Sequence, residues 1–313
     1  MNPFDTIGAA IAAVAAGVSL ALLLGETLRR RREAGRDDIL RRRYLRIAMC
    51  ALHADDGAVP RFPMLHRAGA RLLLAETLAG IVTMTYGLDG TVLRRIVEAY
   101  GLDEWLLCRV RRSQGYRRAR YLSLLAALPA DESIAGRVVR YGNSRCRSVR
   151  FQALLAGLAA DPTSALRRME EYAEPFSEAE VAQILALLRR GVLPVAYEPL
   201  VMSPCGNLRR VGLSIVRQFG IEEAEPRLLR IVADEPASAL SAEALYTLCS
   251  LRRPLIRREV RDRVERMGAA ERRALIRYMA RENYSPRFLH RIFDEGECLY
   301  YETIVRSYKR TLA

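Results

Sequence analysis

Arginine is the residue with most chemical potential in this chain. Between residues 109 and 150 stand Arg109, Arg111, Arg112, Arg117, Arg118, Arg120, Arg137, Arg140, Arg145, Arg147 and Arg150, opposed within that stretch only by Asp131 and Glu132. Tyr116, Tyr121 and Tyr141 are interleaved with them. Guanidinium groups recognise carboxylate and phosphate through charge-assisted, often bidentate hydrogen bonds, so such a strip suits a phosphate, an acidic protein segment or lipid headgroups.

Other reactive residue types form no recognisable constellation. The three histidines, His53, His66 and His290, are far apart and none has a motif partner; His53 and His66 flank a segment that reads as a loop. The sequence lacks H-E-x-x-H, G-x-S-x-G, a Walker-type Gly-Lys-Ser and G-x-G-x-x-G, which disfavours catalysis. Cys50, Cys108, Cys146, Cys205, Cys249 and Cys298 include no C-x-x-C pair, so no zinc site is legible, and their wide spacing fits reduced thiols in a cytosolic compartment. Glu170, Glu171, Glu174, Glu178 and Glu180 form an acidic cluster, but the last two fall in the first turn of a predicted helix, where the helix dipole stabilises negative charge. Neither a catalytic nor a metal nor a cofactor site is expected.

The elements that must position these arginines are helices. The chain has 313 residues, is 50% hydrophobic and carries a formal net charge of +14. That is ample for a buried core. Short alternating strand-like runs are scarce, so an all-α fold is expected. Lys309 is the only lysine, so the positive charge is almost wholly arginine. That choice fits codon bias in a GC-rich genome as well as binding.

From Thr6 to Gly25 runs an uncharged stretch whose length as a helix, about 30 Å, matches a bilayer core. No Lys or Arg precedes it, unlike a signal peptide. Arg29, Arg30, Arg31, Arg32, Arg36, Arg41, Arg42, Arg43 and Arg46 follow it, diluted by Glu33, Asp37 and Asp38. By the positive-inside rule the amino terminus points out and the remainder faces the cytoplasm. The same arginines form a juxtamembrane segment that anionic headgroups would attract, at about 1 kcal/mol per residue near the surface.

The body of the chain is periodic. RYLSLLAAL from Arg120, RFQALLAGL from Arg150 and EVAQILALL from Glu180 start 30 residues apart, each with paired apolar residues at its fifth and sixth positions and Leu at its ninth. VGLSIVRQF from Val211 and EALYTLCSL from Glu243 continue the pattern more loosely. A second amphipathic stretch follows most units, giving helix, turn, helix. Punctuation agrees: Asp161-Pro162 offers a cap and a first-turn proline, Ser177 with Glu180 forms a capping box, and Gly101 closes a helix before Asp103 can cap the next. Pro129, Pro162, Pro175, Pro194, Pro236 and Pro254 fall near predicted helix ends.

On this period and pattern the chain resembles the HEAT/armadillo family, in its short bacterial form. Arg150-Phe151 and Arg210-Val211 match the family's way of starting a helix beside a core position. The resemblance covers residues 115–252 and implies a right-handed α-solenoid of antiparallel helical hairpins. The expected organisation is a transmembrane anchor at 1–26, a basic linker at 27–46, degenerate or capping repeats at 47–114, the repeats proper at 115–252 and capping helices at 253–313. Arg120 and Arg150 occupy equivalent repeat positions, so stacked hairpins would align them; in this family such arginines also form internal ladders with acids. The implied function is a membrane-anchored cytoplasmic scaffold for a protein partner. Two other classes share the resemblance: nucleic-acid binding like the HEAT-like DNA alkylation-repair glycosylases, with Trp105 beside Asp103 and Glu104 as the one echo, and a HEAT-like lyase accessory subunit.

Overall fold

The computed structural model describes residues 35–54, 58–85, 90–129, 131, 133–190, 197–234 and 239–312. These form α-helices, short 3-10 turns and connections, with no strand among the described residues. The all-α expectation therefore holds. Among the described residues no helix is long and apolar enough to cross a membrane; the Thr6–Gly25 stretch and Arg29, Arg30, Arg31 and Arg32 lie outside them. The chain divides into two compact units, residues 1–156 and 157–313. The division falls inside the 115–252 stretch that the sequence presents as one run of repeats.

The first unit contains α1 (35–53), α2 (Ala68–Met84), α3 (Gly90–Ala99), α4 (Leu102–Arg112), α5 (Gly115–Ala127), the short α6 (Ser133–Val138) and most of α7 (Arg147–Ala160). Helix α2 buries Leu73, Leu74, Ala75, Thr77, Leu78, Ala79 and Ile81, side chains on nearly every side of its axis, as a helix enclosed by others must. Between α1 and α2 the described residues 58–67 form a loop, as their prolines predict, and aromatic residues pin it. Phe62 packs edge-on against both Tyr44 of α1 and Tyr100, with ring centroids 5.5 and 5.6 Å away. The Tyr44 hydroxyl donates to the Pro63 carbonyl at 2.6 Å and that of Tyr100 to Pro60 at 2.7 Å, so the buried Tyr44 and the half-buried Tyr100 both keep their polar ends satisfied. Gly101 adopts a left-handed conformation (φ 53°) at the junction of α3 and α4, which only glycine takes without strain. Asp103 is not the cap expected of it: α4 has already begun at Leu102, and the Asp103 carboxylate accepts from the next amide, that of Glu104, at 2.8 Å.

The second unit contains α8 (Ala165–Glu170), α9 (Glu178–Arg189), α10 (Tyr197–Val201), α11 (Gly206–Phe219), α12 (Glu225–Asp234), α13 (Ala239–Ser250), α14 (Arg258–Glu265), α15 (Ala269–Arg281) and α16 (Glu295–Leu312). Alternate helices pack side by side: α9 on α11, α11 on α13 and α13 on α15, while α12 lies against α14. Hairpin partners α10 with α11 and α12 with α13 join these two rows. The repeat motifs at Glu180, Val211 and Glu243 fall on α9, α11 and α13, consecutive members of one row. Their inward positions explain the pattern: Ile184, Leu185, Ile215, Val216 and Leu248 are all buried, and full burial of one such side chain contributes about 1.5–3 kcal/mol. Local starts follow the sequence too. Ser177 accepts from the Glu180 amide while the Glu180 carboxylate accepts from that of Ser177, completing the capping box of α9. Asp161 accepts from the Ser164 hydroxyl at 2.5 Å, from the Thr163 hydroxyl at 2.6 Å and from the Ser164 amide at 3.3 Å, and these bonds hold its carboxyl below the usual carboxylate range.

Candidate functional site

The row α9, α11, α13, α15 carries a groove of about 780 Å³ on its open face. Glu178 and Leu185 come from α9, Arg210, Ser214 and Arg217 from α11, Glu243, Tyr246 and Ser250 from α13, and Tyr278, Arg281 and Glu282 from the end of α15. Small residues, Ala182, Ser214, Ala239 and Ala242, keep its floor low.

Arg210 fixes the amino-terminal end of the groove. Its Nε donates to Glu243 at 2.7 Å, its terminal nitrogen donates to the Phe176 carbonyl, and the neighbouring Asn207 donates to the carbonyls of Tyr172 and Glu174 at 3.1 and 2.9 Å. The first turn of α11 thus holds the strand of backbone leading into α9 on one side and α13 on the other. Burial pushes the Glu243 carboxyl above its ordinary value, and Arg210 opposes that shift. At the far end Tyr246 and Tyr278 stack with ring centroids 4.6 Å apart and an interplanar angle of 27°. Their order is fixed by a 2.7 Å hydrogen bond between the hydroxyls of Tyr278 and Ser250. Burial raises the Tyr246 phenol, so it stays neutral. Arg281 lies over the Tyr278 ring at 4.7 Å.

The chain matches no family model, no curated protein and no solved structure.

The basic stretch at 109–150 lies in the first unit, and acids distant in sequence reach part of it. Glu76 of α2 pairs with Arg120 and, at 3.5 Å, with Arg41; Glu104 of α4 grips Arg137 with both carboxylate oxygens. The Arg137 bond holds the Glu104 carboxyl below its ordinary value and raises the arginine. Asp131 and Glu132 are thus not the strip's only counter-charges. Tyr141 is flanked by two guanidiniums, Arg118 at 5.2 Å and Arg140 at 5.1 Å from its ring centre, and Arg109 lies over Trp105 at 5.2 Å. Arg118 also donates to the Val110 carbonyl. Arg150 donates to the Ser144 carbonyl at 2.6 Å, so both it and Arg120 have a partner within the first unit. Arg111, Arg112, Arg117, Arg145 and Arg147 are exposed, as is Tyr116 at 80%.

Elsewhere Arg41, Arg42 and Arg43 are exposed on α1, where Arg42 pairs with Asp38 at 3.0 Å. The three histidines are exposed, and His53 donates to the Met49 carbonyl at 2.7 Å. Among the described residues no three His, Cys, Asp or Glu side chains gather as a metal site. In the acidic cluster Glu180 serves the capping box and Glu171 pairs with Arg167 at 3.2 Å, while Glu178 lines the groove. The groove itself was missed by motif reading. Its signal was present in the spacing: Tyr278 follows Tyr246 by 32 residues, and Glu178, Arg210 and Glu243 are separated by 32 and 33, the period of the repeats.

Proposed function

We propose that this chain is a non-catalytic helical-repeat scaffold of the HEAT/armadillo kind, an α-solenoid that holds a protein partner at the cytoplasmic face of the membrane. The observation that carries this reading is the groove running across four successive helices of one row, lined by paired and unpaired charges and a fixed pair of tyrosines. Extended surfaces of this type, built from side chains on rigid helices, suit the grip of a partner segment. The agreement between sequence period and helix row supports the repeat assignment, and the apolar stretch at 6–25 followed by arginines supports the anchor and its orientation.

Crosslinking of the full-length protein in its native membrane, followed by mass spectrometry, tests the reading. One partner should be recovered, and Tyr246→Ala with Arg217→Glu should abolish its capture without altering the helical spectrum. Removal of residues 1–26 should release the chain from the membrane. Unchanged capture by the groove variant would sink the assignment of this face.

A second reading, nucleic acid bound along the first unit, draws on the exposed Arg111, Arg112, Arg117 and Tyr116. Duplex binding that falls steeply with salt, and is lost on reversing those three arginines, would favour it.

A further inference from the structure

Beside the groove lies a second hollow of about 220 Å³, lined by Tyr246, Ala274, Arg277, Tyr278, Arg281 and Tyr308. The two recesses share Tyr246, Tyr278 and Arg281, so a single extended ligand can occupy both. Their charge differs. The hollow's lining contains two arginines and no acid, whereas the groove's lining holds Glu178, Glu243 and Glu282 alongside Arg210, Arg217 and Arg281.

Arg277 and Arg281 stand one helical turn apart on α15 and project on the same side of it. Neither is saturated. Among the described residues Arg277 makes one long contact, 3.5 Å to the Tyr300 hydroxyl, and Arg281, besides lying over the Tyr278 ring, has its half-buried neighbour Glu282 at 3.6 Å. Two exposed guanidinium forks with donors to spare, beside three tyrosines, form a receptor for a carboxylate attached to a flat or aliphatic body. The tyrosines need little ordering, because Ser250 already fixes Tyr278 and Tyr278 stacks on Tyr246. At the opposite end Glu178 is exposed and makes no ion pair among the described residues. A continuous polyphosphate is a poor occupant, since the three arginines of the groove are matched by three glutamates, Glu243 already paired with Arg210 and Glu282 with Arg281, and only the hollow is free of acid; charge confined to that end is not so penalised.

We infer that the site binds an extended peptide segment of bipolar charge, with an acidic residue in the Arg277–Arg281 hollow and a basic residue further along, towards Glu178. This rests on the groove being the partner-binding face.

The test uses full-length protein in detergent and three fluorescein-labelled peptides of equal length. One has glutamates at one end and lysines at the other, one has lysines at both ends, and one has serine at every charged position. Anisotropy should show the bipolar peptide binding best, with at least a tenfold loss in Arg277→Ala/Arg281→Ala, whose side chains are exposed and whose loss should leave the helical spectrum unchanged. In Arg277→Glu/Arg281→Glu the preference should invert towards the all-lysine peptide. Equal binding of the serine peptide, abolished by Tyr246→Ala, would overturn the charge inference while leaving the binding face intact. Absence of binding by all three would overturn both, and tighter binding of a single-stranded oligonucleotide at the same arginines would replace the peptide by a polyanion.

Discussion

Gly212 and Val201 meet so closely that a Cβ added to Gly212 would lie 2.8 Å from the Val201 backbone nitrogen. The same atom would come within 2.9 Å of both Leu200 Cβ and Val201 Cγ2. Here α10 rests directly on the backbone of α11, and the glycine inside the VGLSIVRQF repeat motif is what permits it. Two effects oppose each other on Gly212→Ala. Helix propensity favours alanine by about 1 kcal/mol, whereas forcing a methyl against backbone that cannot rotate away costs about 1–3 kcal/mol. Overpacking should win, and urea denaturation should show a net loss. A stabilised variant would mean that α10 is free to move off α11.

Ser177→Ala should cost about 1 kcal/mol, because it leaves the Glu180 amide without its capping acceptor and removes the hydroxyl that donates to the Glu180 carboxylate at 2.9 Å, while the reciprocal bond from the residue 177 amide remains. Ser177→Asp should retain most of the stability. Equal melting temperatures for the wild type and the alanine variant would show the cap to be energetically idle.

Arg263 of α14 is only 3% exposed, donates to the buried Ser241 hydroxyl of α13 at 3.2 Å and pairs with Glu271 of α15. Glu271→Ala would strand that guanidinium. A loss of about 2 kcal/mol is expected, below the 3–5 typical of a fully enclosed pair because Glu271 itself is partly open to water. Arg263→Met with Glu271→Leu should recover most of it, since the buried charge goes with its partner. If the double variant were less stable than the single one, the pair would contribute more than its desolvation removes.

Thiol labelling should separate the cysteines by environment. Cys50 and Cys108 are exposed, whereas Cys249 and Cys298 are buried, and burial pushes both buried thiols above their ordinary values, most strongly Cys249. Since the thiolate is the reactive form, a maleimide should modify Cys50 and Cys108 within minutes and Cys249 only after denaturant is added. Rapid native labelling of Cys249 would require α13 to open locally.

What the sequence determined by itself is the part governed by short range. Helical character, the cap at Asp161, the capping box at Ser177 and Glu180, and the loop before α2 each follow from residues within about one or two turns of each other. The period from Arg120 to Glu243 marked which helices are alike. The tertiary structure alone decided which charges remain available. Glu76 neutralises Arg120 across 44 residues, Glu104 takes Arg137 across 33, and Arg210 finds Glu243 across 33, none of which a local window can pair. The groove has the same origin. Tyr246 and Tyr278 belong to different helices, and only the packing of α13 on α15 brings their rings together. Backbone propensity acts along the chain and can be read in order, whereas a surface is assembled from turns far apart in sequence, and its shape and net charge exist only once those helices have packed.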